Sequence, residues 1–332
     1  MPARALAKAK SVLTALAALT AFALPIVPSG AVAQDFPSKA IRLLQGFPAG
    51  GNADVIARSV GDELAKTFGQ TVLVEARPGA SGNLATEQVV RATPDGYSLV
   101  LVTTAHVISP ALLKSISFDA VKDLDFISKV ADFPFFVAVH NDSPFKTIND
   151  LIDAARARPG ALTWGHAGTG SGQHMCGELM IFATRTKMVN VPFRGDAGSV
   201  TALLSKSVDF IVAPSTVLVG NIDGGNFRAL AISSKTRAPA LKDVPTMAEA
   251  LKLDIEMQAF QGIATTKGTP RPIVDRLSKA VHAALAVPSV DKRLRDMGGT
   301  PAPTTPAETT VFIERQVQRW KDIVAAAGIQ PQ

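Results

Sequence analysis

Short apolar runs of strand length alternate with longer helical stretches along nearly the whole chain, and this alternation narrows its fold more than any other feature. Residues 41–46, 71–75 and 97–103 read as strands, each followed by a helical stretch, at 52–68, 83–92 and 106–113. From about Phe135 the pattern restarts, with strands at 136–140, 161–164, 188–191 and 208–212 and helices at 147–157, 172–184 and 197–205. Strands that alternate with helices build crossover units on a parallel sheet, so the chain is α/β, and the restart predicts a second lobe. A strand at 258–265 and amphipathic helices at 273–286, 290–297 and 307–326 complete the C-terminal part. Asn52 and Asn83 fall where helix caps are expected.

Two strand-to-helix turns carry almost no side-chain bulk. One is Phe47-Pro48-Ala49-Gly50-Gly51-Asn52-Ala53-Asp54, and the other runs from Trp164 through Gly168-Thr169-Gly170-Ser171-Gly172 to His174. The first amides of a helix lack partners within it and carry partial positive charge, so a carboxylate or phosphate is their natural occupant. Ligands of open α/β sheets also gather at the carboxyl ends of strands. Two such cradles about one domain apart predict a cleft. Asp54 is expected to brace the first loop by accepting amide hydrogen bonds, since its charge would repel an anionic guest.

Arg4, Lys8 and Lys10 precede an almost wholly apolar stretch at 11–27, and Ala31-Val32-Ala33 follows as a small-x-small site. This is the pattern of a secretory signal peptide cleaved after Ala33, so the mature chain is expected to be exported and free in its compartment. Pro25 and Pro28 end the run short of the ~20 residues a spanning helix needs. Taking three basic residues from 34 lowers the formal charge from +6 to +3. No Lys/Arg cluster interleaved with aromatics remains, which excludes a nucleic-acid partner. The single cysteine, Cys176, has no partner for a disulfide or a C-x-x-C motif and is expected to pack in the core. About 300 mature residues with 47% apolar content suffice for two cores.

The glycine run at 168–172 is not G-x-G-x-x-G, and there is neither a Walker lysine nor a G-x-S-x-G elbow, so no cofactor is expected. The five histidines are scattered without metal-ligand spacing, so no metal is expected. Ser171 and His174 share a helix face, which leaves a periplasmic serine hydrolase as the alternative function, although no acid is identifiable to orient the imidazole. Arg194, in Val191-Pro192-Phe193-Arg194-Gly195, ends a strand where it could meet a carboxylate.

Taken in order, these segments resemble the substrate-binding proteins of tripartite tricarboxylate transporters, the Bug family of extracytoplasmic solute receptors. The resemblance runs from Phe36 to Gln332. It rests on Asp35-Phe36-Pro37-Ser38-Lys39, Gly50-Gly51-Asn52-Ala53-Asp54 with Ala57-Arg58, Arg77-Pro78-Gly79-Ala80, Pro94-Asp95-Gly96-Tyr97 and Gly168-Thr169-Gly170-Ser171 with His174. Further pieces are Val191-Pro192-Phe193-Arg194-Gly195, Arg228-Ala229-Leu230-Ala231, Asp243-Val244-Pro245-Thr246 with Glu249-Ala250, and Arg319-Trp320.

The resemblance implies a type II periplasmic binding fold, two doubly wound lobes joined by a two-strand hinge. Residues 34–134 and 260–332 would form the first lobe and 135–259 the second. It also implies a non-enzymatic monomer that captures a small carboxylate and delivers it to membrane transporter subunits. By motif match the ligand site comprises Phe47, Ala49, Gly50, Gly51, Thr104, Ala105 and His106 of the first lobe. Thr169, Gly170, Ser171, His174, Phe193, Arg194, Pro214, Ser215 and Thr216 face them from the second. The family often carries an acidic residue near Pro214-Ser215. Its absence here, with Phe133, Phe135 and Phe136 near the crossover, points to a dicarboxylate, tricarboxylate or aromatic acid without an amine.

Overall fold

The computed structural model describes residues 36–238, 241–253 and 256–326; the predicted signal peptide lies outside them. In the first lobe β1 (Ile41–Gln45), β2 (Val72–Ala76) and β3 (Ser98–Thr103) pair in parallel, with β1 in the middle. Each feeds a crossover helix: α1 (Asn52–Phe68), α2 (Asn83–Val90) and α3 (Thr104–Leu112). Successive residues Leu43 and Leu44 are both buried, as expected of a parallel strand covered on two faces. Ile56, Val60 and Leu64 recur at helical spacing and are the buried face of α1. The caps differ from the sequence expectation: Gly51 and Gly82 occupy the cap positions, and Asn52 and Asn83 are the first helical residues. Freed from capping, the Asn83 amide donates to Ser109 Oγ at 2.8 Å.

The longest strand, β4 (Leu124–His140), serves both lobes. In chain order the second lobe then adds α4 (Ile148–Ala157), β5 (Thr163–His166), α5 (Gly172–Thr184), β6 (Val189–Pro192), α6 (Asp196–Leu204), β7 (Phe210–Pro214), α7 (Ser215–Asp223), β8 (Phe227–Ile232) and α8 (Met247–Leu251). The chain returns through β9 (Gln258–Thr266). Residues 124–134 of β4 pair antiparallel with β9, whereas 135–140 pair with β7 and β8. Hydrogen-bonded strands follow the order β2-β1-β3-β9-β4-β7-β5-β6. Phe136, Leu203, Ile211, Leu218 and Phe227 form the buried centre of the second lobe. Three C-terminal helices, α9 (Arg271–Ala286), α10 (Pro288–Asp296) and α11 (Pro306–Ala326), follow; α9 packs on α1, and α11 packs on α3.

Where the ladder between the two crossing strands ends, Ser233 bonds to both. Ser233 Oγ accepts from the Phe135 amide at 3.0 Å and donates to the Met257 carbonyl, while the Ser233 amide donates to the Phe135 carbonyl at 2.9 Å. A fully buried hydroxyl with both partners supplied fixes the spacing of the strands where they leave one lobe for the other. No helix among the described residues is long and apolar enough to cross a membrane.

Candidate functional site

Every parallel strand ends on the same side, so the turns after β1, β3, β5, β6 and β7 converge between the lobes. Two adjoining chambers result, with Phe47 in the wall of both. The outer one, about 670 Å³, is lined by Phe47 and the 78–81 turn on one side and by Thr169, Phe193, Arg194 and Gly195 on the other. The inner one, about 40 Å³, is lined by Asn52, Thr104, Ala105 and Phe260 of the first lobe and by Phe135, Gln173, Asp196 and Pro214. The lobes touch directly where Ser81 Oγ donates to the Thr169 carbonyl. Ala80 and Ser81 hold φ of 46° and 54° to present that hydroxyl, a left-handed backbone that costs non-glycine residues about 1–2 kcal/mol each.

The loop amides are partly claimed by the protein itself. Asp54 accepts from Gly50 N at 3.1 Å, from Arg58 Nε at 3.0 Å and from Gln45 Nε2 at 3.4 Å. Burial pushes its carboxyl up, but these donors outweigh burial and hold it below the usual carboxylate range. The start of α1 is met by Asp196 of the second lobe, whose Oδ2 accepts from Asn52 N at 3.4 Å and whose Oδ1 accepts from Gln173 Nε2 at 2.6 Å. An acidic side chain therefore does reach the cleft, from position 196 rather than from near 214–215. Burial raises its carboxyl pKa, and the two donors only partly offset this.

In the second turn, Gly168 N donates to His166 Nδ1 at 3.2 Å and Gly170 N donates to His174 Nδ1 at 3.3 Å. Both Nδ1 atoms are therefore acceptors, and the ring protons sit on Nε2. The two rings pack against each other and against Trp164 at centroid distances of 4.6 to 6.2 Å; the His174 ring stacks nearly parallel to the indole, and the other two pairs are tilted. Burial holds His166 down to about 3, helped by the nearby His174, and holds His174 down to about 4. The amides of Gly51 and Thr169 have no hydrogen-bond partner among the described residues.

The predicted residues divide. Phe47, Thr104, Ala105, Thr169, Phe193, Arg194 and Pro214 line one chamber or the other. Gly51 and Gly170 face the opposite lobe: a Cβ on Gly51 would lie 3.4 Å from Asp196 Oδ2, and one on Gly170 3.5 Å from Leu112. Ala49 and Gly50 are exposed and line neither chamber. Ser215 and Thr216 begin α7 but turn away from both, and Ser215 packs beside Gly298. His106 lies in the first-lobe core, its Nε2 2.7 Å from the Ala120 carbonyl and its ring stacked on Phe118. Burial drives its pKa down to about 4.

Ser171 and His174 do not form a hydrolytic pair. Ser171 Oγ caps α5 by accepting from the backbone amide of His174 at 3.2 Å, and the imidazole is committed to Gly170. Ser171→Ala is expected to lower stability by about 1 kcal/mol in chemical denaturation, the usual cost of a lost cap. Among the described residues, no group of three or more His, Cys, Asp or Glu could hold a metal ion.

Sequence reasoning missed Asn52, Gln173, Asp196 and Gln261 as wall residues. The resemblance marked residues 77–80 and 191–195 without showing that the side chain after Gly195 enters the cleft.

The profile of the tripartite tricarboxylate transporter family receptors matches residues 56–329. A UPF0065 protein from the TAR-I ttuE-ttuC' intergenic region of Agrobacterium vitis is 33% identical, over 91% of this chain and 89% of its own. The solved structure of the periplasmic binding protein BugD superposes with a TM-score of 0.86 at 31% identity, covering 90% of this chain and all of BugD. R. palustris Rpa4515 with adipate gives 0.86 at 29% identity, covering 90% of this chain and all of its own. These relatives are solute receptors rather than enzymes, and the two-lobe architecture is that of periplasmic binding proteins. The chain belongs to the tripartite tricarboxylate transporter family receptors, the group that includes the Bug proteins.

Proposed function

We propose that the exported chain captures a small organic carboxylate between a lobe formed by residues 34–134 and 260–332 and one formed by 135–259, and hands it to membrane subunits of the tripartite tricarboxylate type. Dicarboxylates, tricarboxylates and aromatic acids are the classes to test first. The observation that carries this reading is the convergence of helix N-termini from both lobes on one cleft: α1 and α3 from one side, α5, α6 and α7 from the other. Amide dipoles aimed at one point favour a negative guest without any basic side chain. The adipate held by Rpa4515 is a guest of that kind. Contacts to both lobes favour closure, because they are complete only in the closed form.

Adipate, malate, citrate and benzoate, each added to the purified chain, test this by thermal shift. A ligand at 100 times its Kd stabilises by about 2.7 kcal/mol, which for a chain this size raises Tm by roughly 5 °C. Gly51→Phe and Gly170→Leu should abolish the shift while each variant still melts cooperatively. Both project into the opposite lobe, and Gly170 also holds φ of 78°. Retained affinity in both variants would refute this site, and no shift with any carboxylate would refute the capture itself.

A further inference from the structure

The inner chamber holds an anion of its own. It is walled by the first residues of α1, α3, α5 and α6 and by the cap of α7, so the positive ends of these helices meet there. The carboxylate set among them is Asp196, itself the first residue of α6 and 9% exposed. Its Oδ2 accepts from Asn52 N across the lobes, and its Oδ1 accepts from Gln173 Nε2 on α5. Both oxygens are acceptors, as in an ionised carboxyl, so one negative charge already answers the helix termini. No Lys, Arg or His lines this chamber to balance a second, and much of its wall is apolar, with Phe47, Phe135, Ala259 and Phe260. The outer chamber differs. Arg194 in its wall is exposed and makes no hydrogen bond or ion pair among the described residues, and the Thr169 amide is likewise unpartnered.

We propose, resting on the capture reading above, that Asp196 makes the chain a receptor for monocarboxylates: the solute's one carboxylate is held in the outer chamber by Arg194 and the Thr169 amide, and the end that enters the inner chamber is uncharged. At about 40 Å³ the inner chamber takes an end group near the size of a water, which needs ~10–15 Å³. A carboxylate there would lie against Asp196 with almost no water to screen the two charges. Turning Asp196 aside does not relieve the conflict, because Asn52 N and Gln173 Nε2 would each lose the acceptor they now have in a buried wall. The outer chamber, about 670 Å³, has the volume for a small aliphatic or aromatic acid. Arg194 and Asp196 flank Gly195, so one short loop both attracts the acid group of the solute and turns away a second one.

Calorimetric titration of the purified chain with paired probes tests this: benzoate against terephthalate, hexanoate against adipate, and butanoate against succinate. In at least one pair the monocarboxylate should bind at least about tenfold more tightly than the diacid, since like charges set together in a site are strongly disfavoured. Asp196→Asn, which keeps the shape and removes the charge, should tighten the diacid of that pair by about tenfold and change the monocarboxylate by less than about threefold. An Asp196 that serves only the start of α6 predicts a lower Tm with the preference intact, and that result overturns the inference. So does wild-type protein that binds a diacid as tightly as its matched monocarboxylate, or that responds to malate or citrate alone; capture then stands. Failure of all six probes, together with the carboxylates of the thermal screen, overturns both. The paired series on unaltered protein decides the matter even if the variant folds poorly.

Discussion

Replacing Trp164 by alanine is expected to lower the free energy of unfolding by about 3–5 kcal/mol, the range for removing a large buried aromatic, and to abolish the ligand-induced thermal shift. The indole is fully buried and packs against His166, His174 and Phe210 at centroid distances of 4.9, 6.2 and 6.1 Å. Helix α5 is shaped around it, because a Cβ on Gly177 would fall 2.3 Å from the indole ring. The functional consequence follows through the histidines. Trp164 holds the two rings whose Nδ1 atoms position the Gly168 and Gly170 amides, so a cavity there loosens the turn that forms one wall of the cleft. Trp164→Phe is the control. It keeps an aromatic stack and deletes an indole N–H that is buried without a partner, so its cost should be much smaller. Urea unfolding of both variants measures the difference, and an alanine variant within 1 kcal/mol of wild type would show that the stack is dispensable.

Acid should begin to destabilise the protein above the usual carboxylate range, as the buried histidines are forced to take up protons. His106, His166 and His174 are held to about 4, about 3 and about 4, against 6.5 in the unfolded chain. Between those limits the unfolded state binds protons that the folded state refuses, so stability is fully present above pH 6.5 and is lost as pH falls towards 4 and 3. Each ring contributes up to about 1.4 kcal/mol per pH unit. Asp132, Glu178 and Asp196, raised by burial, take up protons earlier in the folded state and return part of the loss at the acid end of the window. Asp54 and Glu75, held low by hydrogen bonds to Arg58 and Arg42, add to the loss only below the usual carboxylate range. Denaturation midpoints between pH 7.5 and 5 isolate the histidines. A midpoint that stays level across that interval would mean the rings are protonated in the native state.

The fold was most legible where glycine-rich turns and uninterrupted periodicity coincide. The bounds of α1 and α5 could be read directly, since each follows a turn whose small residues signal a helix start. Residues 124–134 of β4 were not recognised. Register shifts near Phe126 and Lys129 break the period-two alternation there, and Pro134 reads as a terminus. Ala-rich β8 and the β-branched start of α7 likewise contradict local propensity, which pairing and packing override. Within the cleft, the loops could be found because glycine marks them. Asp196 and Gln261 could not, because what makes them wall residues is contact across the lobes. Asn52 and Asp196 are 144 positions apart in sequence.

The shared strand β4 also constrains how such a protein can diversify. Residues 124–134 of it are paired within one sheet and 135–140 within the other, and Phe135 between them is bonded to the returning chain through Ser233. Cutting the gene within β4 would take an interior strand from both sheets at once, so neither lobe can be shuffled as a module.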